Sequence, residues 1–389
     1  MDNIVSERIR KTPPSFIRGI LKAAESDDVI SFAGGLPNPI SFPQEALKES
    51  MDRVVTDYGS RVFQYSTTAG LIQLREYIAQ KYRNQYKLDI EPYDIIITTG
   101  SQQALDLIGK VLINEGDNIV LEEPGYLGAI QAFSQYQPHF NGVPLLEDRL
   151  DVSKFEEVLK QGNVKFAYIV PNFQNPTGLT YSDEKRRRVL EIARKYHCIL
   201  IEDDPYGELS FNGKVHGYIS NDGLEESILL GTFSKIVTPG MRLGFMIIKD
   251  AKLRKYVNTA KEAADLHSNI FSQYCLWDYL VHNDLDKHII KIRELYKNQC
   301  QTMIKAMEDY FPEEVTFTRP EGGMFIWATL PDGQSAKDLF DKAIKKNVAF
   351  VPGDPFYTDG RDANTMRLNY TNASSEMIEE GIKRIGELF

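Results

Sequence analysis

Cysteine, histidine, tryptophan and basic charge are all in short supply, and each shortage excludes something. The chain of 389 residues holds three cysteines, six histidines and two tryptophans. Cys198, Cys275 and Cys300 are odd in number and far apart, so neither a disulfide framework nor a CxxC metal site is indicated, and a reducing cytoplasm is the expected setting. The histidines are scattered, so no clustered metal site is expected. No uninterrupted apolar run reaches the roughly 20 residues of a membrane span. The opening MDNIVSERIRKTPPSF lacks the apolar stretch of a secretory signal. Lys and Arg number 45 against 55 Asp and Glu, a formal net charge of -10. That balance disfavours nucleic acid and anionic membranes as partners. Any bound anion must then be held by a few placed cations. A phosphate loop of the GxxxxGK[ST] type is absent.

What is present is an ordinary globular composition, 42% hydrophobic and 26% charged, in a chain long enough for a large domain and a smaller one. From about residue 95, short apolar runs alternate with amphipathic stretches: DIIITTG, SQQALDLIGKVLINEG, NIVLEEPGY, LGAIQAFSQY, KFAYIVPNF, SDEKRRRVLEIARKYH and CILIEDDPYG, followed by SILLGTFSK and LGFMIIK. Strands alternating with helices predict an α/β domain around a largely parallel sheet. Long helices are expected between Ser268 and Met307. VTFTRPEGGMFIWATLP, NVAFVPGDPFY and MRLNYTNAS then read as strands, and SEMIEEGIKRIGELF as a closing helix. This second unit is α+β.

The polar residues fall where the apolar runs stop, and in such sheets ligands bind beyond the carboxyl ends of the strands. Gly100 and Ser101 open a helix, as a plain cap or as a seat for phosphate. Tyr126 in EPGY is either a core aromatic or a face for a flat ligand. Asn175 in PNFQNPTG sits in a rigid loop or offers its amide to a ligand. Glu202, Asp203 and Asp204 form a solvated acidic turn, a metal site, or a buried carboxylate that must find a cation or donor. Lys235 follows Thr232 and Ser234 directly after a strand, and Arg242 comes seven residues later. A lysine placed and desolvated there can form a Schiff base with a carbonyl cofactor, and the arginine suits its phosphate.

In order and spacing, SFIRGILK, SFAGGLPNPISFP, QYSTTAGLIQLR, GSQQALDL, PGY, PNFQNPTG, EDDPYG, GTFSK, PGMRLG and MRLNYT resemble the fold type I aminotransferases of class I/II. The similarity is to the branch with 2-aminoadipate and kynurenine aminotransferases, and it spans nearly the whole chain. It implies pyridoxal 5′-phosphate as cofactor and a three-layer α/β/α domain over 46–290 with a mainly parallel seven-stranded sheet. It also implies a smaller α+β domain from 1–45 and 291–389. Lys235 resembles the lysine that holds the cofactor and shuttles the proton, Asp203 the partner of the ring nitrogen, and Tyr206 and Asn175 the donors to the ring oxygen. Tyr126 resembles the stacking residue. Ser101, the Gln102 backbone amide, Thr232, Ser234 and Arg242 resemble the phosphate ligands, with Thr232 standing where Ser is common. Arg367 resembles the fork that grips the substrate α-carboxylate. Tyr65 resembles a tyrosine that reaches the neighbouring subunit's phosphate, which implies a homodimer with shared sites. Gly35 is expected to line the substrate pocket where no side chain fits.

Ser15 and Arg18 resemble residues near the distal carboxylate in aminoadipate-type members, against which stands an exposed position for Arg18. The expected reaction is ping-pong transfer of an amino group from 2-aminoadipate, glutamate-like, aromatic or branched-chain donors to 2-oxoglutarate. A β-lyase or decarboxylase on the same scaffold is one alternative. The other is an aminotransferase-like effector domain of a transcription regulator, disfavoured by the acidic charge and by the roughly thirty residues before AGGLPNP, too few for a winged helix.

Overall fold

The computed structural model describes residues 4–12, 19–20, 28–146 and 149–389. Its strands, in chain order, begin with β1 (Ile30–Ser31), β2 (Ile95–Thr98), β3 (Asn118–Glu123), β4 (His139–Leu146) and β5 (Arg149–Leu150). The next four are β6 (Val164–Ile169), β7 (Ile199–Asp203), β8 (Ser227–Thr232) and β9 (Gly244–Ile248). The C-terminal part contributes β10 (Thr316–Phe317), β11 (Phe325–Thr329), β12 (Val348–Ala349), β13 (Val351–Pro352) and β14 (Thr365–Asn369).

The main sheet runs β2-β9-β8-β7-β6-β3-β4-β5. Neighbours from β8 through β7, β6 and β3 to β4 are parallel, while β9 is antiparallel to both β2 and β8. The expected seven strands therefore gain an eighth, the two-residue β5, which folds back antiparallel on β4. Two residues leave no periodic signature, so this strand was not readable beforehand. Even the edge strand β2 and its neighbour β9 are buried at every position. Helices on both faces account for that pattern and for the near-continuous Ile, Leu and Val runs.

The helices follow their sequence stripes. Gly100–Leu112 buries Ala104, Leu105, Leu107 and Ile108 toward the sheet. Asp183–Lys195 begins at Ser182, whose side chain accepts from the Lys185 amide, carries Asp183 and Glu184 in its first turn, and ends with Arg194 and Lys195. Cap and charges both suit the helix dipole. Phe133 packs edge-on against Phe166 and Tyr168, with ring centroids 5.2 and 5.9 Å apart. Burying each such ring contributes roughly 1.5–3 kcal/mol.

Leu285–Tyr310, a 26-residue helix, leads from the main sheet to the antiparallel sheet β10-β11-β14-β13. The N-terminal segment is stitched to this second sheet. β1 pairs with β12 in a two-stranded sheet beside it, and the amide of Asn369 on β14 donates to the Phe32 carbonyl at 2.9 Å. No described helix is long and apolar enough to cross a membrane.

Candidate functional site

Parallel strands send their carboxyl ends to one edge, and a cavity of about 490 Å³ opens there. Twelve of the residues singled out from sequence line it: Gly35, Ser101, Gln102, Tyr126, Asn175, Asp203, Tyr206, Thr232, Ser234, Lys235, Arg242 and Arg367. β2, β3, β6, β7 and β8 each deliver one or more through the turn that follows. Arg367 arrives from β14, at a register position opposite Trp327 and Val351.

Arg242 and the helix start make the cationic end. Gly100, at φ +71°, is the first helical residue, and a Cβ there would sit 2.5 Å from Arg242 Nη2. Only glycine leaves room for the guanidinium against this turn. The preceding Thr99 makes no side-chain cap, and Ser101 lies inside the first turn with its buried Oγ unpartnered. Of the two readings of Ser101, a plain cap is not the one observed: the turn that Gly100 permits carries Ser101 past the cap position, and its hydroxyl makes no hydrogen bond there. Gln102 lines the cavity, and its side chain donates to the Gly128 carbonyl at 3.1 Å. Thr232 Oγ1 and Ser234 Oγ lie 3.0 Å apart. Arg242 itself holds φ +54°, a left-handed conformation that costs a non-glycine residue about 1–2 kcal/mol.

Lys235 Nζ donates to the Gly35 carbonyl at 2.9 Å. Burial, then the nearby Arg242 and Arg367 charges, lower its pKa from 10.5 to about 8. A Cβ added at Gly35 would come 3.3 Å from Phe325 Cζ, a tight contact.

Asp203 is 2% exposed. The Tyr168 hydroxyl donates to its Oδ2 at 2.7 Å, whereas Oδ1 has no partner. Burial, with Asp204 adding repulsion, pushes its pKa from 3.8 up to about 7. The neighbouring acids face away into protein. Asp204 accepts from Asn172 Nδ2 and the Gly207 amide, and Glu202 from the Ile219 amide. All three carboxylates are buried, which rules out a solvated acidic turn. Among the described residues no group of three or more His, Cys, Asp or Glu is arranged to hold a metal.

Arg367 is 1% exposed. Its Nη1 donates to Asn175 Oδ1 at 2.8 Å and its Nη2 to the Ala33 carbonyl at 2.6 Å, while Nε is unpartnered. The guanidinium carbon lies 4.4 Å from the Phe325 centroid and 5.2 Å from that of Phe356. Burial lowers its pKa to about 10, which leaves it charged at neutral pH. Asn175 Nδ2 approaches the Tyr206 hydroxyl at 3.4 Å. Burial raises the Tyr206 pKa and pushes that of Tyr126 up to about 12, so both phenols stay protonated and able to donate.

Tyr65 is not in this cavity. It is 79% exposed, with its ring edge-on to His267 at 5.9 Å. Ser15 and Arg18 lie outside the described residues. Sequence reasoning missed Tyr168, Leu127 and Gln131, which also line the cavity. For Tyr168 a signal existed: a tyrosine inside a buried strand must find an acceptor for its hydroxyl.

The model of the family described as Aminotransferase class I and II matches residues 33–385. Aromatic-amino-acid aminotransferase 1 of Thermococcus litoralis is 46% identical over 388 residues, covering 98% of this chain and 93% of the relative. Pyrococcus horikoshii kynurenine aminotransferase, solved in complex with PMP, superposes with a TM-score of 0.95 at 43% identity, over 100% of this chain and 97% of that one. The α-aminoadipate aminotransferase of Thermus thermophilus, complexed with N-(5′-phosphopyridoxyl)-L-leucine, gives a TM-score of 0.93 at 38% identity over 100% and 97%.

Proposed function

The chain belongs to the class I and II aminotransferases, and from that premise we propose how its own residues divide the work. It is a pyridoxal-phosphate enzyme of fold type I that moves an amino group from an amino acid to a 2-oxo acid. The cavity fits the cofactor by its own chemistry. Its unsatisfied buried atoms are an acidic oxygen, Asp203 Oδ1, a hydroxyl, Ser101 Oγ, and a guanidinium nitrogen, Arg367 Nε. Those are the partners wanted by a ring nitrogen, a phosphate and a carboxylate respectively. That match is the observation that carries the assignment of roles.

The bound cofactor supplies an electron sink that lets the substrate α-carbon lose a proton. Lys235 would hold the cofactor through its amine, and that amine would hold and move the proton at the substrate α-carbon. A pKa near 8 lets the amine act as base and as acid at neutral pH. Asp203 would keep the ring nitrogen protonated, and Tyr206 and Asn175 would donate to the ring oxygen. Tyr126 covers the ring face. Ser101, the Gln102 amide, Thr232, Ser234 and Arg242 hold the phosphate. Arg367 orients the α-carboxylate, and Gly35 leaves the pocket open beside it.

The donors are acidic and aromatic L-amino acids, a range supported by the names of the three relatives above, and the acceptor in this reading is 2-oxoglutarate. The small domain comprises 1–45 and 291–389 and the large one 46–290, supported by the pairing of β1 with β12. The working unit is a cytoplasmic homodimer. The exposed apolar side chains Tyr65, Phe63 at 69% exposure and Ile40 at 84% support this reading as surface a second copy would cover.

The visible spectrum of the loaded protein tests the assignment. The cofactor band should be lost on adding L-2-aminoadipate, return with 2-oxoglutarate, and be absent in Lys235→Ala. A band that no amino acid alters would favour the effector reading, and release of pyruvate and ammonia would favour a β-lyase.

A further inference from the structure

Asp203 has two oxygens in very different situations. Oδ2 accepts the Tyr168 hydroxyl at 2.7 Å, and Oδ1 is buried with no partner. Tyr168 is itself 1% exposed. Strand register brings them together. Tyr168 of β6 pairs with Ile201 of β7, and side chains two apart on a strand share a face, so Tyr168 and Asp203 are diagonal neighbours. The Tyr168 ring is fixed from behind by Phe133.

We propose that Tyr168 is a positioning residue: by engaging Oδ2 it fixes the carboxylate rotamer and presents Oδ1 alone to the ring nitrogen of the cofactor. The inference rests on the proposed pairing of Asp203 with that nitrogen. A hydroxyl donated to a carboxylate also favours its ionised form, and ionised Asp203 is the form that pairs with a protonated ring. The other charged or titratable groups around Asp203 are Asp204 beside it, Glu122 on β3, Tyr126 and Tyr206 on the adjoining turns, and Lys235, Arg242 and Arg367 across the cavity. Tyr168 alone among them makes a hydrogen bond to the carboxylate. Burial and the neighbouring Asp204 work against ionisation.

Tyr168→Phe keeps the ring and removes the hydroxyl. The measurement is the dissociation constant of pyridoxal phosphate for cofactor-free protein, by absorbance titration across about pH 6 to 9, in four proteins: wild type, Tyr168→Phe, Asp203→Asn and the double variant. The expected result is about 10- to 100-fold weaker binding by Tyr168→Phe, as for loss of a hydrogen bond to a charged group. The deficit should be largest at low pH, where the variant's Asp203 is protonated, and should shrink as pH rises. In Asp203→Asn the added Tyr168→Phe should cost little further. Wild-type affinity at every pH, or an equal loss with and without Asp203, would overturn the proposal. An Asp203→Asn protein that binds as wild type would instead sink the ring-nitrogen assignment itself. 3-Fluorotyrosine at position 168, a stronger donor in a fully folded protein, should move the pH dependence the opposite way, and no movement would also count against the proposal.

Discussion

Asp203→Asn should stabilise the cofactor-free protein at alkaline pH while abolishing its activity. The carboxylate is buried, one oxygen is unsatisfied, and its pKa is raised from 3.8 to about 7, first by burial and then by Asp204. For an acid raised on folding, any stabilisation is present below the unfolded pKa and is lost as pH climbs through the folded one. The whole window, at about 1.4 kcal/mol per unit, amounts to roughly 4 kcal/mol. Between about pH 5 and pH 8 some two units of it are crossed, so wild type should lose about 2–3 kcal/mol relative to the asparagine variant. Asparagine keeps an acceptor for the Tyr168 hydroxyl and does not ionise, and the remaining titrating groups are common to both proteins. Urea denaturation of the two cofactor-free proteins at both pH values reads the difference directly. Saturating pyridoxal phosphate should reverse the order, because a ligand bound tightly by wild type alone stabilises it by mass action. A difference that does not change with pH, or a wild type that gains on the variant as pH rises, would refute the account of Asp203 as an unpaired buried acid.

Three further perturbations probe other corners of the cavity. Arg367→Lys keeps a charge but loses the planar fork, and kcat/KM for L-amino acids should fall about 100-fold or more. Turnover of an alkylamine without a carboxylate should change little, and equal losses on both would remove Arg367 from carboxylate binding. In the cofactor-free protein, with a pKa of about 8, roughly a quarter of Lys235 should be free amine at about pH 7.5, against about 0.1% for an ordinary lysine. Competitive acylation read by mass spectrometry should therefore label Lys235 early. Arg242→Gln, by removing a neighbouring cation, should shift that labelling to higher pH. Gly100→Ala puts a Cβ 2.5 Å from Arg242 Nη2 at a backbone φ of +71°. It should weaken inorganic phosphate as a competitor of cofactor binding by about 10-fold, with a strain cost of about 1–2 kcal/mol in unfolding. Unchanged competition would separate this turn from the phosphate seat.

The site was legible in sequence to the extent that topology alone determines it. An apolar run followed by GSQQ, EPGY, EDDPYG or GTFSK marks a strand end, and a parallel sheet gathers all such ends at one edge. Lys235, Asp203 and Ser101 therefore had to meet once the alternation of strands and helices was recognised. Arg367 came from the resemblance, since nothing in MRLNYT says that β14 faces the main sheet's edge. What stayed hidden depends on quantities that single strands do not carry. Tyr65 is exposed on this chain, and the role proposed for it would need a second copy. The free hydroxyl of Ser101 follows from the positive φ of Gly100, a local backbone choice that the letters GS leave open between cap and first turn. Tyr168 sits in VKFAYI, where buried apolar residues point to both faces, so alternation offers no clue to its neighbour. Its contact with Asp203 exists because Tyr168 is level with Ile201. A slip of one residue between β6 and β7 would turn the hydroxyl to the opposite face of the sheet and leave both Asp203 oxygens unsatisfied. The contact that orients Asp203 thus depends on inter-strand register, which is why Tyr168 emerges as its partner only with the fold.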